Sequence, residues 1–158
     1  MSMTTSLPDR ANSDQMTALK QGIADIDASD FADIQGLDRY LSAALSKQQQ
    51  EEPSNPRLLL RSSDAGHFAG MKVRRVELTT TKGADPSSGR LIIDLAEPGP
   101  SAEAFANAYW PDAEFEPGRP HAAGSPSSWT VKQGNRTISI YHPQDDERIV
   151  SIGFSHGP

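Results

Sequence analysis

The sequence holds no cysteine. That absence excludes a disulfide framework, a thiolate metal site and a cysteine nucleophile, and it fits a reducing compartment. Aromatic residues make up 6% and apolar residues 35% of the 158 positions, while glycine and proline occur 12 times each. A chain of this length suits one domain with tails. At this apolar content its core must come from a few concentrated segments. Long hydrophobic runs are missing too. Stretches such as Leu58-Leu59-Leu60 are far too short to cross a bilayer. The start of the chain lacks the basic residues and apolar stretch of a secretory signal. A cytoplasmic location without membrane contact is therefore expected.

The familiar signatures of chemistry are absent as well. His67, His121, His142 and His156 lie at no spacing that sets two of them on one helix face or in a zinc-finger pair. His142 with Asp145 and Asp146 is the nearest approach to a metal cluster, yet aspartates in a turn more commonly bond to neighbouring backbone amides. No metal and no cofactor is expected. There is no Gly-x-Ser-x-Gly elbow and no Ser-x-x-Lys pair. Ser62, Ser63 and Asp64 near His67 have the residue types of a triad, but triads assemble in space around a buried acid. A polar loop entering a strand accounts for them. Gly66 and Gly70 match neither phosphate-binding fingerprint.

Charge is the next constraint. The formal net charge is −6, distributed as −5 over residues 1–52, +4 over 53–82 and −5 over 83–158. Phosphate neutralisation supplies most nucleic-acid affinity, so an acidic chain is not expected to bind nucleic acid. The basic middle (Arg57, Arg61, Lys72, Arg74, Arg75 and Lys82) reads as a solvated strand face and its entry loop.

Two periodicities organise the rest. Residues 1–12 are polar, include Pro8 and show no stripe, as a disordered tail would. Met16, Leu19, Ile23 and Ile26 form one helical stripe behind Ser13 as N-cap. Ile34, Leu37, Leu41, Ala44 and Leu45 form a second, with Tyr40 beside them and Asp30 or Asp33 to cap it. Residues 13–47 thus predict a helical hairpin. Residues 48–57, with two prolines and no large apolar side chain, predict a linker.

Residues 58–158 predict a sheet body with one short helix. Met71 and Val73 fall on one face of a strand and Val76 and Leu78 on the other. A β-bulge at Arg74-Arg75 would bring all four together. After a turn over 83–89, Leu91, Ile93 and Leu95 continue as the second arm of a hairpin. Ser101 caps a helix over 102–109, with Phe105 one turn from Tyr109. Residues 111–128 hold four prolines and predict a long loop. Strands near 128–133, 136–142 and 147–154 form a meander with Val131, Ile138, Ile140, Val150, Ile152 and Phe154 inward. The fold class is α+β: an N-terminal αα-hairpin, then an antiparallel sheet built from a ββ hairpin, a short helix and a three-stranded β-meander.

What remains is surface. Asp25, Asp27, Asp30, Asp33 and Asp38 string along the helical hairpin, and Asp112, Glu114 and Glu116 follow Tyr109 and Trp110. Surface acids serve solubility. Beside aromatic residues they also suit an interface with a basic protein, since charge speeds encounter and aromatic rings anchor. Tyr109, Trp110, Asp112, Glu114 and Glu116 are therefore the candidate partner-binding residues, and no catalytic residue is nominated. In overall character the chain is small, acidic, free of cysteine and without a catalytic motif, and so it resembles the immunity proteins of bacterial polymorphic toxins. That resemblance implies a non-enzymatic inhibitor whose acidic face occludes a toxin active site. The chain is also similar to the small acidic chaperones of type III secretion, although those end on an amphipathic helix and this chain on a strand. An enzyme reading takes the α+β barrel of the nuclear-transport-factor-like family, with Glu77, Asp94, Tyr141 and His142 as interior candidates. Uninterrupted apolar strand faces favour a packed core over such a cavity.

Overall fold

Period-two alternation and helical stripes are realised together in an α+β fold. The computed structural model describes residues 3–47, 58–81, 88–119 and 124–157. Its helices are α1 (Met3–Asp27), α2 (Ile34–Leu41) and α3 (Ala102–Tyr109). Its strands are β1 (Ser46–Lys47), β2 (Leu58–Ser63), β3 (Gly66–Phe68), β4 (Met71–Thr81), β5 (Gly89–Leu95), β6 (Glu114–Glu116), β7 (Ser127–Gln133), β8 (Arg136–His142) and β9 (Ser151–His156). They form one antiparallel sheet in the order β1-β2-β4-β5-β9-β8-β7-β6, with β3 folded back on β4. The expected linker over 48–57 lies outside the described residues.

The core lies on one face of the sheet. Val76, Leu78, Leu91, Ile93, Ile138, Ile140, Ile152 and Phe154 are buried there, and in register they form continuous rows across β4, β5, β9 and β8. The register of β4 against β5 shifts between Val73 and Arg75. This is the bulge that puts Met71 and Val73 on the same face as Val76 and Leu78, and all four are buried. Leu19, Ile23 and Ile26 of α1, Leu37 and Leu41 of α2, and Ala102 and Phe105 of α3 join the same cluster. Among the described residues the opposite face carries no helix, and its centre is small and polar. There Thr130 and Ser139 hydroxyls meet at 2.8 Å, and Tyr141 lies over Gly153, where a methyl group would sit 3.2 Å from the ring.

Local signals set the ends of these elements. The Asp33 carboxylate accepts from Gly36 N at 3.0 Å at the start of α2, and Ser101 Oγ accepts from Ala104 N at 3.2 Å at the start of α3. Ser42, at φ 49°, closes α2 in the left-handed region. Two-residue turns link β3 to β4 and β7 to β8. In the first, Ala69 and Gly70 both have positive φ; in the second, Gly134 takes φ 62° at the first corner.

Several boundaries differ from the sequence expectation. α1 begins at Met3, so Ser13 stands inside the helix and residues 3–12, expected as tail, are helical. Extending a formed helix gains one hydrogen bond per residue, whereas starting one is costly. β9 begins at Ser151 and not near 147, because residues 147–149 bond elsewhere. Ala102 N donates to Glu147 O, Gly99 N to Ile149 O, and Ile149 N to Pro100 O at 2.7–2.9 Å. Val131 and Val150, expected inward, are only half-buried. The segment read as a loop over 111–128 contains β6, and the stretch around Ser62 and His67 is the strand pair β2 and β3.

A hydrogen bond between the helices pins the hairpin, and a second within α1 steadies its acceptor. Tyr40 Oη donates to Asp25 Oδ2 at 2.9 Å, and Gln21 Nε2 donates to Asp25 Oδ1 at 3.0 Å. At the end of α1, Asp27 meets His156 at 3.3 Å and Arg136 at 3.7 Å. The His156 ring stacks on Phe31 at 4.1 Å with 7° between planes. These contacts tie the helix to β8 and β9.

Truncation of Ile140 or Ile152 to alanine is expected to lower the free energy of unfolding by about 2–5 kcal/mol, read by urea denaturation. A change under about 0.5 kcal/mol at both sites would contradict the packing. The Tyr40 phenol is pushed up from 10.0 to about 12, first by withdrawal from water, then by its hydrogen bond to Asp25 and the charge of that carboxylate. The folded state therefore favours the protonated phenol. That contribution to stability is complete below pH 10.0 and is lost as pH rises through about 12. An ultraviolet tyrosinate titration should show a step near pH 12 that Tyr40→Phe removes.

Candidate functional site

The five nominated residues follow one another along a single border of the molecule. α3 ends in two aromatic residues that lean on its own Phe105, with ring centroids 5.2 Å apart for both Tyr109 and Trp110. Both rings are half-buried against the core, so they are supports as much as exposed anchors. Tyr109 also joins α3 to α1. Its hydroxyl lies 3.3 Å from Thr17 Oγ1, and Lys20 Nζ stands 4.8 Å from its ring centroid. Trp110 N donates to Ala106 O at 2.8 Å, and Ala113 N donates to Trp110 O at 3.0 Å. This turn carries Asp112 to the surface and feeds the chain into β6.

β6 is the last strand on this side of the sheet, and its three residues are all exposed. Its register places Glu114 opposite Thr130, Phe115 opposite Trp129 and Glu116 opposite Ser128. Trp129 stands in the row of Ile140 on the helix-covered face. Phe115 therefore lies on that face, and the two glutamates lie on the polar one. Phe115 remains 48% exposed, with its ring 4.7 Å from Trp129 and 6.3 Å from His142. The Trp129 indole Nε1 is buried without an acceptor among the described residues. Asp112, Glu114 and Glu116 make no ion pair among them either.

β7 runs three residues beyond its last β6 partner, Thr130, to Gln133. Beside that overhang a groove of about 520 Å³ opens between α1, the end of α3 and the sheet. Ile23, Val131 and Ile138 supply apolar lining; Lys20, Asp112 and Lys132 are its charged members besides Asp27. Asp27 is already held by Arg136 and His156. Tyr109, Trp110 and Asp112 thus border the groove, while Glu114 and Glu116 stand on the adjoining strand.

The alternative constellations are not brought together. Glu77 pairs with Arg75, and Asp94 and Tyr141 occupy one row of the polar face with Ser151 between them. His142 lies on the other face, opposite Ser127. Its Nδ1 is 2.7 Å from Pro143 O and 3.0 Å from Asp146 O, so the ring fastens the β8–β9 turn. The hydrogen bonds of Arg148 to Asp146 hold that carboxyl below its usual range. Ser63 Oγ accepts from Ala44 N and donates to Ala65 O, and His67 is an exposed strand residue. Among the described residues no group of three His, Asp or Glu could hold a metal, and no helix is long and apolar enough to cross a membrane. Compared with known protein families, curated proteins and solved structures, the chain matches none.

Phe115 is not legible in the sequence, where residues 111–128 predict a loop. The only signal available is the alternation Glu-Phe-Glu, which is too short to register as a strand. Phe115→Ala is expected to change stability by no more than about 1 kcal/mol, whereas Phe105→Ala should cost about 3–5 kcal/mol. Paired urea titrations separate the surface ring from the core ring.

Proposed function

We propose that the protein binds a basic protein partner through the border formed by Tyr109, Trp110, Asp112 and β6, and performs no chemistry of its own. The observation that carries this reading is a line of three carboxylates, unpaired among the described residues, flanking a half-exposed aromatic ring on the outermost strand of the described sheet. A bare aromatic residue between charges is the composition of an interaction surface. The net charge of −6 supports the same polarity. With the character it shares with toxin immunity proteins, the protein acts as an inhibitor in the cytoplasm. Its acids stand in for the anionic substrate of a partner with a cationic site and block entry.

Steering of this kind is screened over about 8 Å at physiological ionic strength, so association should slow as salt rises. Trp110→Ala should mainly speed dissociation, and reversing Asp112, Glu114 and Glu116 to lysine should mainly slow association. Co-expression with the product of the adjacent gene is the direct test. Toxicity relieved by this protein, and restored by the triple reversal, is the expected result. Turnover of a small-molecule substrate that is abolished by changing His142 or Asp94 would overturn the reading.

A further inference from the structure

We infer that β6 takes up a strand from the partner, and that this strand presents basic, apolar and basic side chains opposite Glu114, Phe115 and Glu116. The inference rests on the protein-binding reading above and specifies how the partner is held. Among the described residues β6 pairs with β7 alone, so along its other side the backbone amides and carbonyls of a three-residue strand have no ladder there. An extended segment can complete that ladder, with main-chain hydrogen bonds supplying affinity and alternate side chains supplying selectivity.

The faces of β6 dictate the selectivity. Residues directly opposite each other in neighbouring strands project to the same side of a sheet. Partners of Glu114 and Glu116 therefore stand on the polar face, beside Thr130 and Ser128, where lysine or arginine meets two carboxylates that hold no cation among the described residues. The partner of Phe115 stands on the opposite face, next to a ring that is 48% exposed and backed by Trp129 at 4.7 Å. An apolar side chain there covers the ring. A second copy of this chain does not fit the same edge, because β6 against β6 sets glutamate beside glutamate, and like charges directly opposite are unfavourable. The edge thus refuses its own kind and selects a basic strand.

The experiment is a titration of the isotope-labelled full chain, followed by amide nuclear magnetic resonance at low salt. The probe is a synthetic nonapeptide with a central Lys-Val-Lys, and the control has a central Glu-Val-Glu. The expected result is shifts and slowed hydrogen exchange centred on residues 114–116, with the lysine peptide binding at least about tenfold more tightly. The double variant Glu114→Lys with Glu116→Lys should reverse that order. Both positions are exposed, and an unchanged urea midpoint establishes that the variant is folded. Equal binding of the two peptides, absence of binding, or shifts confined to other strands would overturn the inference. If the adjacent gene's product binds while amides 114–116 exchange as in the free protein, strand pairing fails and the binding function stands. If the peptide preference holds but that product is not bound, the edge stands and the inhibitor reading fails.

Discussion

One residue of extra length in β4 decides how the whole sheet is covered. Side chains in a strand alternate strictly, so Met71 and Val73 would otherwise point away from Val76 and Leu78. The register shift between Val73 and Arg75 removes that conflict. β4 pairs with β2, β3 and β5, so a split apolar face there would have demanded cover on both sides of the sheet. With the bulge, a single layer formed by α1, α2 and α3 suffices. The other face carries hydroxyl side chains and scattered charges, with Tyr141 and Ile92 among them.

Covering one face leaves the border open. α1 is fastened at its end by Asp27 to His156 and Arg136, and α3 is fastened by Phe105. Between these two anchored elements the layer does not close, and the groove beside Val131 and Ile138 is what remains. β6 is attached outside this layer, joined to β7 by three residues and to the core through the contact of Phe115 with Trp129. Its exposure therefore follows from the architecture and not from a locally unusual sequence. The same architecture sorts Glu114 and Glu116 to one face and Phe115 to the other. A run of three residues in a loop would have given no such order.

The candidate enzyme residues show the converse. Glu77, Asp94 and Tyr141 belong to strands whose apolar side chains face the helices, so they are sent to the uncovered face. His142 is committed to two carbonyls in a tight turn. A constellation that needs all four in one dry pocket is incompatible with that sorting, whereas an acidic border is favoured by it.

Features that depend on near neighbours were legible in the sequence. The stripe Leu19, Ile23 and Ile26, the caps Asp33 and Ser101, the turn at Gly134 and the bulge beside Arg74 all follow from periodicity or from the chemistry of one or two residues. The absence of cysteine likewise removed whole classes of chemistry without reference to any fold. Tertiary structure alone decided where β2, β3 and β6 pair, because strands this short or this polar carry no periodic signal of their own. It alone brought Asp27 to His156 across 129 positions of the chain. It also turned Asp112, Glu114 and Glu116 from a charged run into a border with two faces. Pairing partners and exposure are properties of what covers what, and alternation along one strand says which side chains agree with each other but not which side of the protein they will face.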